Sequence, residues 1–307
     1  MIISSRSTLV GSLMANCSVF SKQPDPIMYS YTCPTHEQLL WTIRNVTRAH
    51  DGNTWRCLVG FTTIGSEEAT NTINVQVPIQ TVEMFYPTNN VVTIQQNIET
   101  VFICRTSVGK PKAAVRWYKD NRTATTNDDI EITTFATTTD TTIGDLIYVT
   151  STLRYSPAKE DSGMKIYCIA RNSVDNLVSN RKPELNVQYS PDGPPVIQGF
   201  NNTETCYVIE NNQSLLSCSS RGGNPLATLS WDCFNSGSTS TSSVESNVTK
   251  TVTFSALRGQ DRSCTCKSSH PVDKTQSVTV NIEVLCKFTF IFMKYYFTAL
   301  KFARYCN

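Results

Sequence analysis

Cysteine is the residue type with the most potential chemistry in this chain. Twelve cysteines stand among 307 residues, and no two of them are spaced as Cys-x-x-Cys, the pattern of many redox motifs and zinc sites. A cysteine content this high is typical of chains that form disulfides in an oxidising compartment. We therefore predict structural disulfides and an extracytoplasmic location.

Metal binding is the alternative chemistry for the same residues. One set of zinc-type ligands can be drawn in the C-terminal half: Cys233, Cys264, Cys266 and His270. Because Cys-x-Cys is an uncommon ligand spacing, we predict no metal site and no cofactor.

Catalysis is not indicated by the remaining polar residues. The three histidines, His36, His50 and His270, fall in predicted turns, where we expect them to be solvated. None of them accompanies a Gly-x-Ser-x-Gly nucleophile or a phosphate-binding glycine loop. With 27 basic and 25 acidic residues the chain is close to neutral, so no nucleic-acid partner is predicted either. The sequence favours a protein that is not an enzyme.

Acceptor sequons for N-glycosylation agree with a secretory location. There are six of them, at Asn16, Asn45, Asn121, Asn201, Asn212 and Asn247. Each is a weak signal in a chain rich in Ser and Thr. Together with the cysteines they indicate an extracellular glycoprotein, or one on the outer face of the plasma membrane.

The elements that hold the cysteines are clearest in the middle of the chain. Cys104 lies in an apolar run, Trp117 follows 13 residues later on an alternating stretch, and Asp161 to Gly163 precedes Cys168. This order of residues on alternating strands resembles the immunoglobulin superfamily. The resemblance implies two packed sheets bridged by a Cys104–Cys168 disulfide, with Trp117 packed against it.

A second copy of this frame lies towards the C-terminus. Trp231 again follows Cys218 by 13 residues, and the resemblance implies a Cys218–Cys266 disulfide. The motif Gly-Gly-Asn-Pro-x-Ala-x-Leu-x-Trp, which ends at Trp231, is similar to the repeats of nephrin-like and kirre-like adhesion proteins. The long turn before Cys168, with Ile166 in place of the usual tyrosine, is similar to the same proteins. The frames form an internal repeat of roughly 95 residues.

Two further cysteines of this copy stand beside its frame. Cys233 is two residues after Trp231 and Cys264 is two residues before Cys266, so both are expected to face the core from neighbouring strands. They can form a second, cross-strand disulfide if their Cα atoms approach within about 7 Å.

The N-terminal copy is the least regular. Asp51 to Cys57 resembles the turn and strand before the second frame cysteine, which implies a Cys17–Cys57 disulfide. The tryptophan of the frame is not obvious, and Tyr31, with Tyr29 as the alternative, is the predicted substitute. Cys33 is then expected to pack as a small apolar residue.

The predicted fold is all-β, with three tandem immunoglobulin-like β-sandwiches, the first incomplete. The predicted segments are 1–78, 79–189, 194–286 and an apolar, basic tail at 287–307. We expect residues 190–196 to be a stiff, exposed linker, and the lack of an opening strand to mark a missing N-terminus. For the tail, a membrane span, a helix in the membrane surface and an artefactual or disordered end stay open.

The resemblance implies adhesion or recognition between cells through protein–protein binding, with function residing in sites and not in the fold as such. The implied partners are other cell-surface proteins of the immunoglobulin family, homophilic or heterophilic, in the manner of a cell–cell junction. Association with the membrane would come from the tail or from a missing downstream segment. A secreted, soluble immune recognition protein is the alternative.

Overall fold

The structure is a computed structural model, and its regular elements are β-strands and short 3₁₀ turns. It describes residues 2–5, 8–14, 18–19, 21–35, 38–61, 65–123, 125–172, 176–199, 205–233, 238–244, 246–259 and 262–285. The strands group into three consecutive units along the chain. The prediction of an all-β chain is confirmed.

The first unit consists of a four-stranded sheet and a separate hairpin. Its strands are β1 (Ile2–Ser5), β2 (Thr8–Ser12), β3 (Tyr29–Thr35), β4 (Gln38–Ile43), β5 (Thr54–Phe61) and β6 (Gly65–Thr72). The sheet order is β2-β1-β5-β6, and β3 pairs with β4 alone. A 3₁₀ turn at Arg48–His50 leads from the hairpin to β5.

The second unit is a sandwich of two packed sheets. Its strands are β7 (Val82–Tyr86), β8 (Val91–Gln95), β9 (Thr100–Thr106), β10 (Ala114–Lys119), β11 (Ile130–Glu131), β12 (Ala136–Ile143), β13 (Leu146–Tyr155), β14 (Ile166–Arg171), β15 (Leu177–Val178) and β16 (Glu184–Pro191). One sheet has the order β12-β13-β9-β7, the facing sheet has the order β11-β10-β14-β15, and β8 runs parallel to β16. Further 3₁₀ turns lie at Thr133–Phe135 and Lys159–Asp161.

The core of the second unit follows from the alternation of apolar residues along its strands. Phe102, Trp117, Leu153 and Ile166 point between the sheets and are completely buried. Burial of side chains of this size contributes about 1.5–3 kcal/mol each, so this interior is the main stabilising feature of the unit.

The third unit repeats the sandwich. Its strands are β17 (Val196–Ile197), β18 (Thr205–Ile209), β19 (Gln213–Asn224), β20 (Thr228–Trp231), β21 (Ser238–Val244), β22 (Asn247–Ser255), β23 (Arg262–His270) and β24 (Asp273–Leu285). In one sheet β22 lies between β21 and β19, and β17 pairs with β19; the other has the order β18-β24-β23-β20. Its core is a second continuous apolar cluster.

The stiff linker predicted at residues 190–196 is exposed in part, with Ser190, Asp192, Pro194 and Val196 on the surface, but it is not a free linker. Strand β16 extends past the second sandwich and pairs with β19 of the third, with Tyr189 opposite Asn224 and Pro191 opposite Gly222. The chain therefore passes between these units inside a β-ladder. The proline-rich composition that indicates a stiff connection does not reveal that the connection is hydrogen-bonded.

Candidate functional site

The frame of the second unit places its residues as the sequence predicts. A disulfide joins Cys104 on β9 to Cys168 on β14, in the two facing sheets. Trp117 is fully buried in the same cluster, and its indole N–H donates a 2.9 Å hydrogen bond to Ser151 Oγ. The ring and the cystine thus lock the two sheets at one point, with the indole N–H satisfied.

The turn before β14 is held by a buried ion pair. Asp161 accepts hydrogen bonds from Lys119 Nζ at 2.6 Å, the Tyr155 hydroxyl at 2.7 Å and the Ala158 N–H at 2.9 Å. Ile166, which stands in the usual tyrosine position, is fully buried. The anchor of this corner is therefore supplied by Tyr155 of β13 and by Lys119 of β10.

The protonation of this cluster follows from its contacts. Burial acts to raise the pKa of Asp161, but the hydrogen bonds from Lys119, Tyr155 and Ala158 outweigh it and lower that pKa. Burial acts to lower the pKa of Lys119, and its bonds to Asp161 and Tyr155 raise it instead. Asp161 is thus an ionised structural group, with its lone pairs occupied by donors of the fold.

The third unit carries two disulfides that both end on β23. Cys218 and Cys266 join the sheets with Cα atoms 6.5 Å apart. Cys233 and Cys264 form a second disulfide with Cα atoms 4.8 Å apart, the cross-strand pair that the sequence left open. These two bonds share β23 and tie it to β19 and to the segment that follows β20.

The cysteine assignment of the first unit is wrong. Cys57 is a free thiol, so the predicted Cys17–Cys57 disulfide is not formed, and Cys17 lies outside the described residues. Cys33, predicted to pack as a free apolar residue, is disulfide-bonded. The physical reason is topological: Cys57 on β5 lies opposite Ile3 of β1 within one sheet. The hairpin that contacts β5 does so through Tyr29 and Trp55, and the cysteine on that hairpin, Cys33, is already disulfide-bonded.

The tyrosine assignment of the first unit fails for the same reason. The neighbour of β5 is β1, so Tyr31 and Tyr29 are not on the strand beside the one that carries Cys57. They lie on β3 and contact Trp41, with ring centroids 6.0 and 5.6 Å away. Tyr29 also meets Trp55 edge to face at 5.7 Å.

This aromatic group forms a half-buried core. Tyr29, Tyr31, Trp41 and Trp55 are all only partly buried, and the indole nitrogens of both tryptophans are inaccessible yet have no hydrogen-bond partner. Among the described residues of this unit, the fully buried hydrophobic side chains are Ile3 and Leu13. The first unit is therefore far less well packed than the other two.

The predicted solvation of the histidines is wrong for the two that are described. His50 is buried, and its Nδ1 accepts the Thr47 N–H at 3.0 Å. His270 is also buried, and its Nε2 lies 2.8 Å from the Pro225 carbonyl oxygen. Both side chains fix turns, which is a structural use; His36 lies outside the described residues.

The sequons that the structure describes are all on the surface. Asn45, Asn121, Asn212 and Asn247 have exposed side chains, as an acceptor for an oligosaccharide requires. Asn16 and Asn201 lie outside the described residues. Glycosylation itself stays a prediction.

Charged side chains join the first and second units. Lys110 forms an ion pair with Asp51 and lies 3.8 Å from Asp145, which also pairs with Arg48. The Lys110 hydrogen bond and the Val75 N–H lower the pKa of Asp51. Sequence analysis missed this cluster because each residue taken singly looks like part of a solvated face.

The backbone at this junction is also tied. Val77 and Lys110 exchange two N–H···O bonds of 2.7 and 2.8 Å, and Asn172 Nδ2 donates to the Val77 carbonyl at 2.8 Å. Gly109 permits this approach, since a Cβ there would lie 2.5 Å from Asn172 Nδ2. The first two units are thus connected by hydrogen bonds as well as charge.

The second and third units are clamped by an asparagine. Asn224 Nδ2 donates to Asn186 Oδ1 at 2.8 Å and to the Val187 carbonyl at 2.7 Å. Gly222, with φ +74°, lies where a Cβ would meet the Asp192 carboxyl at 2.9 Å. The Gly-Gly-Asn-Pro wording noted in the sequence therefore builds an inter-unit contact.

Two surfaces of the second unit remain open to a partner. On the outer face of β10 and β14, Tyr118 stacks on Tyr167 at 5.6 Å, and Lys182 Nζ lies 4.0 Å above the Tyr167 ring. Tyr167 itself is buried, and Tyr118 and Lys182 are half-buried. Arg116 and Ile169 continue this face beside a shallow groove. The second surface is the free side of β12, whose side chains from Thr137 onward are exposed.

The described residues contain neither a metal-ligand cluster nor a membrane-spanning helix. Within the described ranges, no group of three or more His, Cys, Asp or Glu side chains could hold a metal ion. No helix in that part of the chain is long and apolar enough to cross a membrane. The tail at 287–307 lies outside the described residues.

Comparison with known protein families gives a match within the second unit. Residues 86–176 match the family described as the CD80-like C2-set immunoglobulin domain. The search of curated proteins gave no match.

Among solved structures, an I-band fragment of titin aligns at 18% identity over 92% of this chain and 87% of its own, with a TM-score of 0.54. A mutated variant of that titin fragment aligns at 18% over 94% and 87%, with a TM-score of 0.53. The ectodomain of mouse nectin-like molecule 4 aligns at 16% over 94% and 91%, with a TM-score of 0.46.

Proposed function

We propose that this chain, which has the tandem immunoglobulin-like fold and whose residues 86–176 match an immunoglobulin domain family, is an extracellular recognition protein that binds other cell-surface proteins in adhesion between cells. The observation that carries the proposal is that the side chains with chemical potential serve the fold, whereas the exposed surfaces have no structural role. In the second and third units, cysteines, tryptophans and buried charges are consumed by the cores and turns. The outer sheet faces, strand edges and described sequons are left for contact.

The connections between units support the same proposal. Both junctions are tied by backbone hydrogen bonds, so a ligand bound on one unit is held at a defined distance from the others. A series of small domains with tied junctions suits a protein that makes contact between two surfaces. Enzymatic activity is not part of the proposal.

The finer assignment rests on the sequence. The Gly-Gly-Asn-Pro motif before Trp231 and the long turn at Asp161 favour an adhesion protein of the nephrin-like or kirre-like type. Glycosylation at the sequons and attachment to the plasma membrane belong to the proposal as well. The expected partners are proteins with immunoglobulin domains.

The experiment is a cell-mixing assay. Suspended cells display the chain through an added anchor and are mixed with cells that display either the same chain or one of a panel of immunoglobulin-domain ectodomains. Clustering with at least one of these populations is expected, together with a mass loss on enzymatic removal of N-glycans. If no population clusters while the chain is folded on the surface, the proposal is wrong.

A further inference from the structure

The edges of the sheets differ in how they are protected against pairing. Strand β6 carries Glu67 and Glu68 among its exposed residues. Strand β7 has a register shift between Met84 and Tyr86, and Pro87 follows it. Charges, bulges and prolines are the devices by which proteins keep an edge strand from adding another strand. Both of these edges are therefore protected.

Strand β12 has almost none of these devices. It lies at the edge of its sheet and pairs with β13 over eight residues without a register shift. It contains no proline and no basic residue. All seven residues from Thr137 to Ile143 are exposed, and five of them are threonines, three before Asp140 and two after it. Its single charge, Asp140, is paired with Lys112 Nζ at 2.8 Å. The free backbone groups of this edge are open to a further strand.

The side-chain pattern of β12 would allow this strand to pair with the same strand of a second molecule. Thr137, Thr139 and Thr141 lie opposite Thr152, Thr150 and Tyr148 of β13 and point to the outer face. Thr138 and Asp140 lie opposite the buried Ser151 and Val149, and so they point to the inner face. Residues opposite each other in an antiparallel pair share a face. If two β12 strands paired about a point between two residues, outer-face residues would oppose inner-face residues. Self-pairing is therefore limited to registers in which one residue lies opposite its own counterpart.

We propose that β12 pairs antiparallel with β12 of a second copy of this chain, centred on Thr139. Thr139 then faces its own counterpart, Thr137 faces Thr141 of the second copy, and Thr138 faces Asp140. Opposed threonines can hydrogen-bond, and no like charges meet. The neighbouring register, centred on Asp140, places two carboxylates opposite each other and is disfavoured.

The equivalent edge of the third unit is a poorer candidate. Strand β21 is also rich in Ser and Thr, but Asn247, an exposed sequon, lies opposite Val244 at its end. A predicted glycan at that position would cover part of the edge. The second unit therefore offers the more accessible strand.

Pairing of this size gives a weak interface. A ladder of about eight residues falls below the roughly 1,200 Å² of stable complexes, so many copies on apposed surfaces are needed for a durable contact. The inference rests on the proposed function and deepens it by naming a second copy as the partner. A homophilic contact of low affinity is the expected behaviour.

The test is a cysteine scan of β12 in the full chain. Under a glutathione redox buffer, two Thr139→Cys thiols that meet form one disulfide, and their two electrons and two protons pass to oxidised glutathione, giving two molecules of reduced glutathione. Thr139→Cys is expected to give mainly covalent dimer. Thr141→Cys, on the same strand and face, is the matched control and is expected to give no more dimer than the unmodified chain.

Two further variants complete the test. Thr137→Cys with Thr141→Cys restores cross-linking if the register is correct, and Thr139→Lys lowers self-association in sedimentation by about fivefold, because like charges then oppose each other. Equal cross-linking of Thr139→Cys and Thr141→Cys, or unchanged sedimentation of Thr139→Lys, overturns the inference. Cells that still cluster with another immunoglobulin-domain protein in that case leave the proposed function intact.

Discussion

The first and second units carry the same kind of cysteine on the same kind of strand but make different use of it. Cys168 is bonded to Cys104 in the facing sheet, beneath the fully buried Trp117. Cys57 is a free thiol beside aromatic rings that are only partly buried. The difference teaches that the local sequence around the second cysteine of the frame does not by itself decide whether that cysteine is bonded; the strands that pair with it and pack beside it decide.

The largest expected change in stability comes from breaking the buried ion pair between Asp161 and Lys119 in the second unit. Asp161→Ala removes the acceptor of Lys119, Tyr155 and Ala158 and leaves a buried ammonium, at a cost of about 3–5 kcal/mol in the free energy of unfolding. Chemical denaturation followed by Trp fluorescence measures this loss. Asp51→Ala, in the corresponding turn of the first unit, is the control and is expected to cost less, because its partner Lys110 is more exposed; equal losses would contradict the account.

The next effect compares the two cysteines directly. Replacing both Cys104 and Cys168 by alanine is expected to cost about 2–5 kcal/mol, whereas Cys57→Ala is expected to change the unfolding free energy of the chain only slightly. Thermal unfolding of the variants distinguishes them. A large loss for Cys57→Ala alone would show that this thiol is bonded after all.

The pH dependence of the second unit is a third prediction. Because the pKa of Asp161 is lowered in the folded state, its contribution is fully present above the ordinary carboxyl pKa and is lost as the pH falls through the lowered value. The unfolding free energy should thus decline in acid, and Asp161→Asn should flatten that decline. An identical acid profile for the variant and the unmodified chain would mean that another carboxylate is responsible.

The smallest effect concerns the junction of these two units. Lys110→Met removes the group that pairs with Asp51 and approaches Asp145, and partly exposed pairs contribute only about 0.2–1 kcal/mol. We expect unchanged melting but a broader distribution of inter-unit distances in small-angle X-ray scattering. High salt should broaden the distance distribution of the unmodified chain in the same way. A distribution that changes with neither the substitution nor the salt would show that the backbone hydrogen bonds alone hold the two units together.

The sequence predicted the second and third units well because their signals are local. A 13-residue Cys-to-Trp spacing and alternation along the strands specify which residues face the core, and even the cross-strand position of Cys233 and Cys264 follows from a period of two. The first unit misled because Cys17 and Tyr31 stand at workable distances from Cys57, and spacing alone does not say which strand pairs with which. Lys110 and Asn224 contact residues that are far away in the chain, and a lysine or an asparagine in the sequence does not reveal which residue it will contact.

The most direct measurement is a disulfide map of the native chain, obtained by alkylating free thiols and digesting without reduction before mass spectrometry. The account predicts linked peptides for Cys104 with Cys168, Cys218 with Cys266, and Cys233 with Cys264. Cys57 and the buried Cys206 of β18 are free thiols, and both are expected to be alkylated once the chain is unfolded. A peptide that links Cys104 to any other cysteine, or one that links Cys57 to Cys17, would contradict it.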